Sequence, residues 1–130
     1  MSVEFINPPG LVRGTYSHVA AVTGGRTLYI SGQVAIDESG KVVGTTFEQQ
    51  AVRVFANLKV ALAAGGADYH HIVKMNIFVR DLTTAKVQML REIRQRLFGT
   101  HQPASTLVAT PALVNEDLML EIEVVAVIPS

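Results

Sequence analysis

The sequence predicts an α+β domain in which two helices pack on one face of a mixed β-sheet. Three observations lead there. Strand-like and helix-like segments are interspersed along the chain. Each of the two helical segments carries a single apolar face. Both can bury that face only against a shared sheet, which makes one-sided packing the economical arrangement. At 130 residues, one domain over 1–130 with one core is expected.

The elements follow in chain order. Asn7-Pro8-Pro9-Gly10 breaks regular structure, so residues 1–17 read as a short strand and an ordered loop. Val19 to Val22 and Thr27 to Ser31 read as strands joined by Gly24-Gly25, a hairpin turn. A turn follows at Asp37 to Gly40, and Lys41-Val42-Val43 is long enough to pair briefly. Thr45 and Glu48 have capping-box spacing, so the first helix is expected to begin there. Phe47, Ala51, Val54, Leu58 and Leu62 form its apolar face, and Gly65-Gly66 ends it. From Ile72 to Arg80 the period changes to two, with Val73, Met75, Ile77 and Val79 on one face and Lys74, Asn76 and Arg80 on the other. The second helix runs from about Thr84 to Phe98, with Leu90, Ile93 and Leu97 inward and Gly99 as its stop. Arg91, Arg94 and Arg96 on that helix read as a solvated face. Pro103 to Thr110 is loop passing into strand, broken at Pro111. In the final strand, Leu118 to Val127, the set Leu118, Leu120, Ile122, Val124 and Ala126 opposes Met119, Glu121, Glu123 and Val125.

Composition narrows the function classes. A hydrophobic content of 48% and a mean hydropathy of +0.30 are high for a small monomer, yet no apolar run approaches the ~20 residues that span a bilayer. Apolar surface without a membrane segment points to burial against further subunits. The N-terminus lacks a basic region followed by an apolar core, so no signal peptide and a cytoplasmic location are expected. Eleven basic residues balance eleven acidic ones, which gives no pull toward nucleic acid or an anionic membrane. The absence of cysteine excludes disulfides, thiol catalysis and thiolate metal ligands. His18, His70, His71 and His101 lack metal-ligand spacing, and adjacent His70 and His71 in an extended segment would face opposite ways. No metal and no cofactor are expected.

Four short segments could carry chemistry. Tyr16-Ser17-His18 follows the rigid Pro-Pro loop. Tyr29-Ile30-Ser31-Gly32-Gln33 ends a strand in a serine and a glycine, which suits close approach by a ligand or a bulge. Pro103-Ala104-Ser105-Thr106 places two hydroxyls where a loop becomes a strand, and Glu121-Ile122-Glu123 puts two carboxylates on one strand face. Each taken alone is better explained by structure than by function.

Together, in order and along nearly the whole chain, these segments resemble the Rid (YjgF-like) family. Further matching pieces are Gln50-Ala51, Asn57-Leu58, Ala64-Gly65-Gly66-Ala67, Val73-Lys74, Phe78-Val79-Arg80-Asp81-Leu82 and Leu120-Glu121-Ile122-Glu123. The resemblance implies a chorismate-mutase-like fold assembled as a homotrimer around a barrel-like centre, with clefts between subunits. Studied members hydrolyse enamines and imines released by pyridoxal-phosphate enzymes, giving a 2-keto acid and ammonia. The family's tyrosine, strand-end serine and water-positioning glutamate correspond to Tyr16, Ser31 and Glu121; Gly32, His18, Thr106 and Ser105 are expected to line the same cleft, with Ser105 and Glu121 as the candidate catalytic pair. Ser105 and Glu121 are expected to approach Tyr16 from a neighbouring subunit.

One departure stands out. Deaminating members read Pro-Ala-Arg-Ser where this chain reads Pro103-Ala104-Ser105-Thr106, and no arginine follows Arg96. A charge-assisted hydrogen bond contributes about 1.5–3 kcal/mol, a neutral one about 0.5–1.5. Deamination of simple 2-imino acids is therefore expected to be weakened, unless Arg13 in the N-terminal loop or His18 supplies the charge. The expected partners are further copies of the chain and a small carboxylate or imine-like metabolite. The alternative functions are a fully active 2-imino acid deaminase and, from the family's older descriptions, an RNA-cleaving inhibitor of translation.

Overall fold

The computed structural model describes residues 1–130. Strands β1 (Ser2–Ile6) and β2 (Val19–Thr23) form an antiparallel ribbon. Strands β3 (Arg26–Gln33), β4 (Ile72–Arg80), β5 (Ala104–Thr110) and β6 (Leu120–Ile128) form a mixed sheet in the order β3-β6-β4-β5, in which only β4 and β5 run parallel. Helix α1 (Phe47–Ala64) joins β3 to β4, and α2 (Thr84–Phe98) is the crossover that a parallel pair requires. No helix is long and apolar enough to cross a membrane.

Period-two patterning accounts for the sheet. Met75, Ile77 and Val79 of β4 and Leu120, Ile122, Val124 and Ala126 of β6 are at most 2% exposed. They join Ala51, Val54, Leu58 and Leu62 of α1 and Leu90, Ile93 and Phe98 of α2 in one core, so both helices cover the same sheet face. Gln50 is equally buried, with every polar atom used. Its amide nitrogen donates to the carbonyls of Gly44 and Asp117, and its Oε1 accepts from the Met119 amide. That network fixes α1 to the loop leading into β6.

Tertiary burial overrides several local signals. Gly24 and Gly25 both have positive φ, as a tight hairpin turn demands, yet β2 pairs with β1 and β3 pairs with β6. Pairing with β6 lets Leu28 and Ile30 of β3 pack on the core, a burial that β2 does not offer. The α1 cap lies one residue beyond the expected Thr45–Glu48 pair. Thr46 caps the Gln49 amide, and Gln49 Oε1 accepts from the amides of both Thr45 and Thr46. The brief pairing near Lys41 is a single bridge between Ile36 and Val42. Met119 precedes the last strand and packs on the core, while Val127 is only 3% exposed, so neither lies on an open face as their sequence parity suggests.

His70 and His71 form a 3-10 turn with Tyr69 instead of an extended segment. Both ring Nδ1 atoms converge on Asp68, each 3.4 Å from its Oδ1. His101 packs edge-on against Phe5 at 5.3 Å between ring centroids and hydrogen-bonds the Ile72 carbonyl through Nε2 at 2.8 Å. Burial, ahead of any other cause, holds this imidazole below its ordinary value of 6.5. The unfolded chain therefore takes up that proton first as pH falls, so the stability His101 contributes is complete above 6.5 and shrinks on acidification below it. Asp37 and Asp68, whose carboxyls are held below 3.8, act in a lower window. Between about pH 7.5 and about pH 5, the thermal midpoint is expected to fall with pH, and His101→Gln should flatten that slope.

Candidate functional site

Strand β3 changes register against β6 between Ile30 and Gln33, so Ser31 and Gly32 sit in a bulge. The bulge brings Gly32 onto the side chain of Glu121, which a Cβ at position 32 would strike. Glu121 pairs with Phe78 of β4 on the sheet face turned away from the helices. Its neighbour Glu123 is held there by Asn76 Nδ2 at 3.0 Å, whereas Glu121 has no hydrogen-bond partner in the chain. Ser31, Gly32 and Glu121 thus form one group of small and acceptor groups, open on one side.

The second group forms around the N-terminal loop. Ser17 is buried, donating its amide to the Pro103 carbonyl at 3.1 Å and its hydroxyl to the Gln102 carbonyl at 2.5 Å. This parallel bridge to Ala104 sets Tyr16 and His18 beside the start of β5. Tyr16 meets His18 edge-on at 5.3 Å between centroids. The His18 ring is already engaged, its Nε2 lying 2.6 Å from the Val12 carbonyl, and its amide donates to Asn7 Oδ1. Tyr16 and Ser105 therefore belong to one neighbourhood of a single chain, contrary to the expectation that Ser105 reaches Tyr16 from another subunit.

The two groups stand on opposite sides of the sheet. Ser105 is in register with Met75, which faces the helices, while Glu121 is in register with Phe78, which faces away. Ser105 Oγ accepts from Nη1 of Arg94 on α2 at 3.2 Å. Arg94 is only 8% exposed, so it is no part of a solvated face, although Arg91 and Arg96 are exposed as expected. Burial, and secondarily the charge of Arg91, lower its guanidinium to about 10. Thr106 faces away from Ser105 and accepts from Lys74 Nζ at 2.9 Å. Arg13 is exposed in its loop, and His101 points to the Ile72 carbonyl, away from Tyr16 and Ser105.

Tyr29, Ser31, Lys74, Asn76, Glu123 and Val125 line a shallow cavity of about 340 Å³ on the helix-free face. Tyr29 is 82% exposed there, a large aromatic with nothing to pack against. Nowhere do three or more His, Asp or Glu side chains converge as metal ligands would. Sequence reasoning missed the environment of Arg94. The signal was its spacing, four residues after Leu90 and four before Phe98, on the apolar stripe of α2.

Comparison with known proteins gives a consistent picture. The family model described as endoribonuclease L-PSP matches residues 9–128. Human 2-iminobutanoate/2-iminopropanoate deaminase is 32% identical over 120 residues, covering 92% of this chain and 83% of that protein. The protein DfrA of Myxococcus xanthus is 35% identical over 115 residues, covering 88% and 86% respectively. Among solved structures, a Rid-family protein of Yersinia pestis superposes with a TM-score of 0.91 at 30% identity, covering 98% of this chain and all of that one.

Contact between Gly32 and Glu121 yields a specific expectation. In Gly32→Ala the new methyl can be accommodated only by turning the Glu121 carboxylate away, at a stability cost of less than about 1 kcal/mol. A crystal structure of the variant should show Glu121 displaced with the bulge unchanged.

Proposed function

Because the chain belongs to the endoribonuclease L-PSP (Rid) family, we propose that it acts as a homotrimer whose intersubunit clefts bind a small carboxylate or imine-like metabolite and slowly hydrolyse its C=N bond. The observation that carries this reading is the separation of the two groups across the sheet. Ser31, Gly32 and Glu121 face one way and Tyr16 with Ser105 the other, so a cleft containing both needs a second copy to supply one half. The relative named as a 2-iminobutanoate/2-iminopropanoate deaminase supports the choice of a C=N substrate.

In the chemistry proposed, water adds to the imine carbon while Glu121 accepts one of its protons. That proton passes to the nitrogen of the resulting carbinolamine. The carbinolamine hydroxyl then gives up its proton, through Glu121, to the nitrogen as the C–N bond breaks, so that ammonia leaves and the carbonyl forms. An unpartnered carboxylate suits the task, since no protein donor competes with water for its lone pairs. Ser105 offers one neutral hydrogen bond where the deaminating pattern carries arginine, which is why hydrolysis of simple 2-imino acids is expected to be slow. The word endoribonuclease in the family description does not favour RNA here, because eleven basic residues balanced by eleven acidic ones give no attraction for a polyanion.

In an assay that generates imines with an amino-acid oxidase, slow ammonia release above the uncatalysed rate is expected, and Glu121→Gln should abolish it. Ammonia release unchanged in that variant would remove Glu121 from the mechanism. Light scattering should give a mass near 42 kDa, three times 14.0 kDa. Val125→Asp, which puts a charge on the helix-free face, should give monomer or aggregate without ligand binding. A well-behaved monomer at micromolar concentration would overturn the trimer and its clefts together.

A further inference from the structure

At the end of β6 remote from Glu121, three imidazoles gather where the N-terminal ribbon meets the sheet. His70, His71 and His101 share a cavity of about 330 Å³ with Phe5, Val73 and Val127. The rings of His70 and His101 lie 5.8 Å apart between centroids, and Asp68 is the one carboxylate that His70 and His71 share. His101 is half-buried, edge-on to Phe5 of β1 and tilted against Phe98 of α2 at 6.3 Å. Its Nε2 donates to the Ile72 carbonyl, which leaves Nδ1 as the atom that would take up a proton, and Nδ1 has no hydrogen-bond partner in the chain.

The position of this cluster gives it leverage. Strands β1 and β2 hydrogen-bond to each other and to no strand of the four-stranded sheet, so side-chain and loop contacts hold the ribbon in place. Three consecutive residues ahead of β5 make such contacts. His101 packs on Phe5, and the carbonyls of Gln102 and Pro103 accept from Ser17 at the root of β2. A two-stranded ribbon left to itself is marginal in water, so its order depends on this docking.

The surroundings of His101 disfavour its charged form. The titratable groups facing it are His70, His71 and Asp68 of the turn, whereas β1, β4, β6 and α2 present Phe5, Val73, Val127 and Phe98. Met1 borders the same cavity, with its amino group beside Gly24. A proton on Nδ1 is opposed first by burial and then by the like charge of His70 and His71, against the pull of the Ile72 carbonyl and Asp68. Once the ring is free in water its ordinary value of 6.5 returns, so acid favours the undocked position.

We propose that His101, set among His70, His71 and Asp68, is a proton-operated latch on the N-terminal ribbon. Neutral, it holds Phe5 and the ribbon against the sheet. Protonated at Nδ1, it leaves Phe5, and β1, β2 and the Tyr16 loop come away together while β3, β4, β5 and β6 stay paired. Tyr16 travels with the ribbon, so acidification would dismantle one half of the candidate cleft. The latch itself stands whether or not that cleft binds an imine.

An NMR titration of the assembled protein from about pH 7.5 to about pH 5.5 tests it. In wild type the nuclear Overhauser contact between the Phe5 and His101 rings should fall about fivefold or more. The β1 and β2 amide shifts should move toward random-coil values with the same midpoint as the His101 imidazole, below 6.5, while those of β4 and β6 hold still. His101→Gln keeps a donor for Ile72 and cannot be charged, so its ribbon shifts should not respond to pH. A ribbon that still responds in His101→Gln overturns the latch. So do wild-type shifts that do not move, and so does parallel movement of β4 and β6, which would mean global unfolding. If His101→Gln does not fold, the wild-type midpoints decide, and a ribbon that moves at a different pH from the His101 ring overturns the proposal.

Discussion

Everything about the two groups follows from how β6 alternates. This strand lies between β3 and β4 and runs antiparallel to both, so its pleat imposes one inside and one outside on most of the sheet. Leu120, Ile122, Val124 and Ala126 enter the core, which sends Glu121, Glu123 and Val125 to the other face. A slip of one residue would exchange the two sets, burying two carboxylates beneath the helices. The penalty fixes the register. With it fixed, Glu121 comes under Gly32, Glu123 comes beside Asn76, and Ser105, two strands away, is committed to the opposite side.

The same logic shows which features were legible in the sequence. Periodicity found α2 over its full length and the inward face of β4 from Met75 to Val79, but a register irregularity between Ile72 and Lys74 puts Ile72 in the core where alternation had placed Val73. It misjudged Gly24-Gly25, where the turn chemistry was read correctly but the pairing is decided by what each strand can bury. It also misplaced His70 and His71, whose short-range bonds to Asp68 make a turn where alternation had suggested a strand. Thr45–Glu48 and Thr46–Gln49 satisfy the same capping pattern, and only the three-dimensional position of Gln49 distinguishes them.

For the candidate site, the family resemblance identified segments, and the fold determined how they are grouped. Nothing in Tyr16-Ser17-His18 or Pro103-Ala104-Ser105-Thr106 reveals that one is hydrogen-bonded to the other. Arg94 was hidden for a different reason. Exposed Arg91 and Arg96 flank it, so as a composition the segment reads as solvated, and only the three-to-four spacing betrays that one arginine of the three points inward. A missing charge in one segment was thus visible, whereas the charge facing it from another element was not.

The bridge between Ser17 and the start of β5 also bears on how the Tyr16 loop is held. Its partners are 85 residues apart, so closing it before the rest of the fold exists would sacrifice the freedom of most of the chain for two hydrogen bonds. Held by few bonds near one end of an edge strand, the Tyr16 loop is expected to open more readily than the sheet in local unfolding. Amide exchange at Ser17 is then expected to proceed through an opening smaller than global unfolding, leaving the sheet closed while Tyr16 moves.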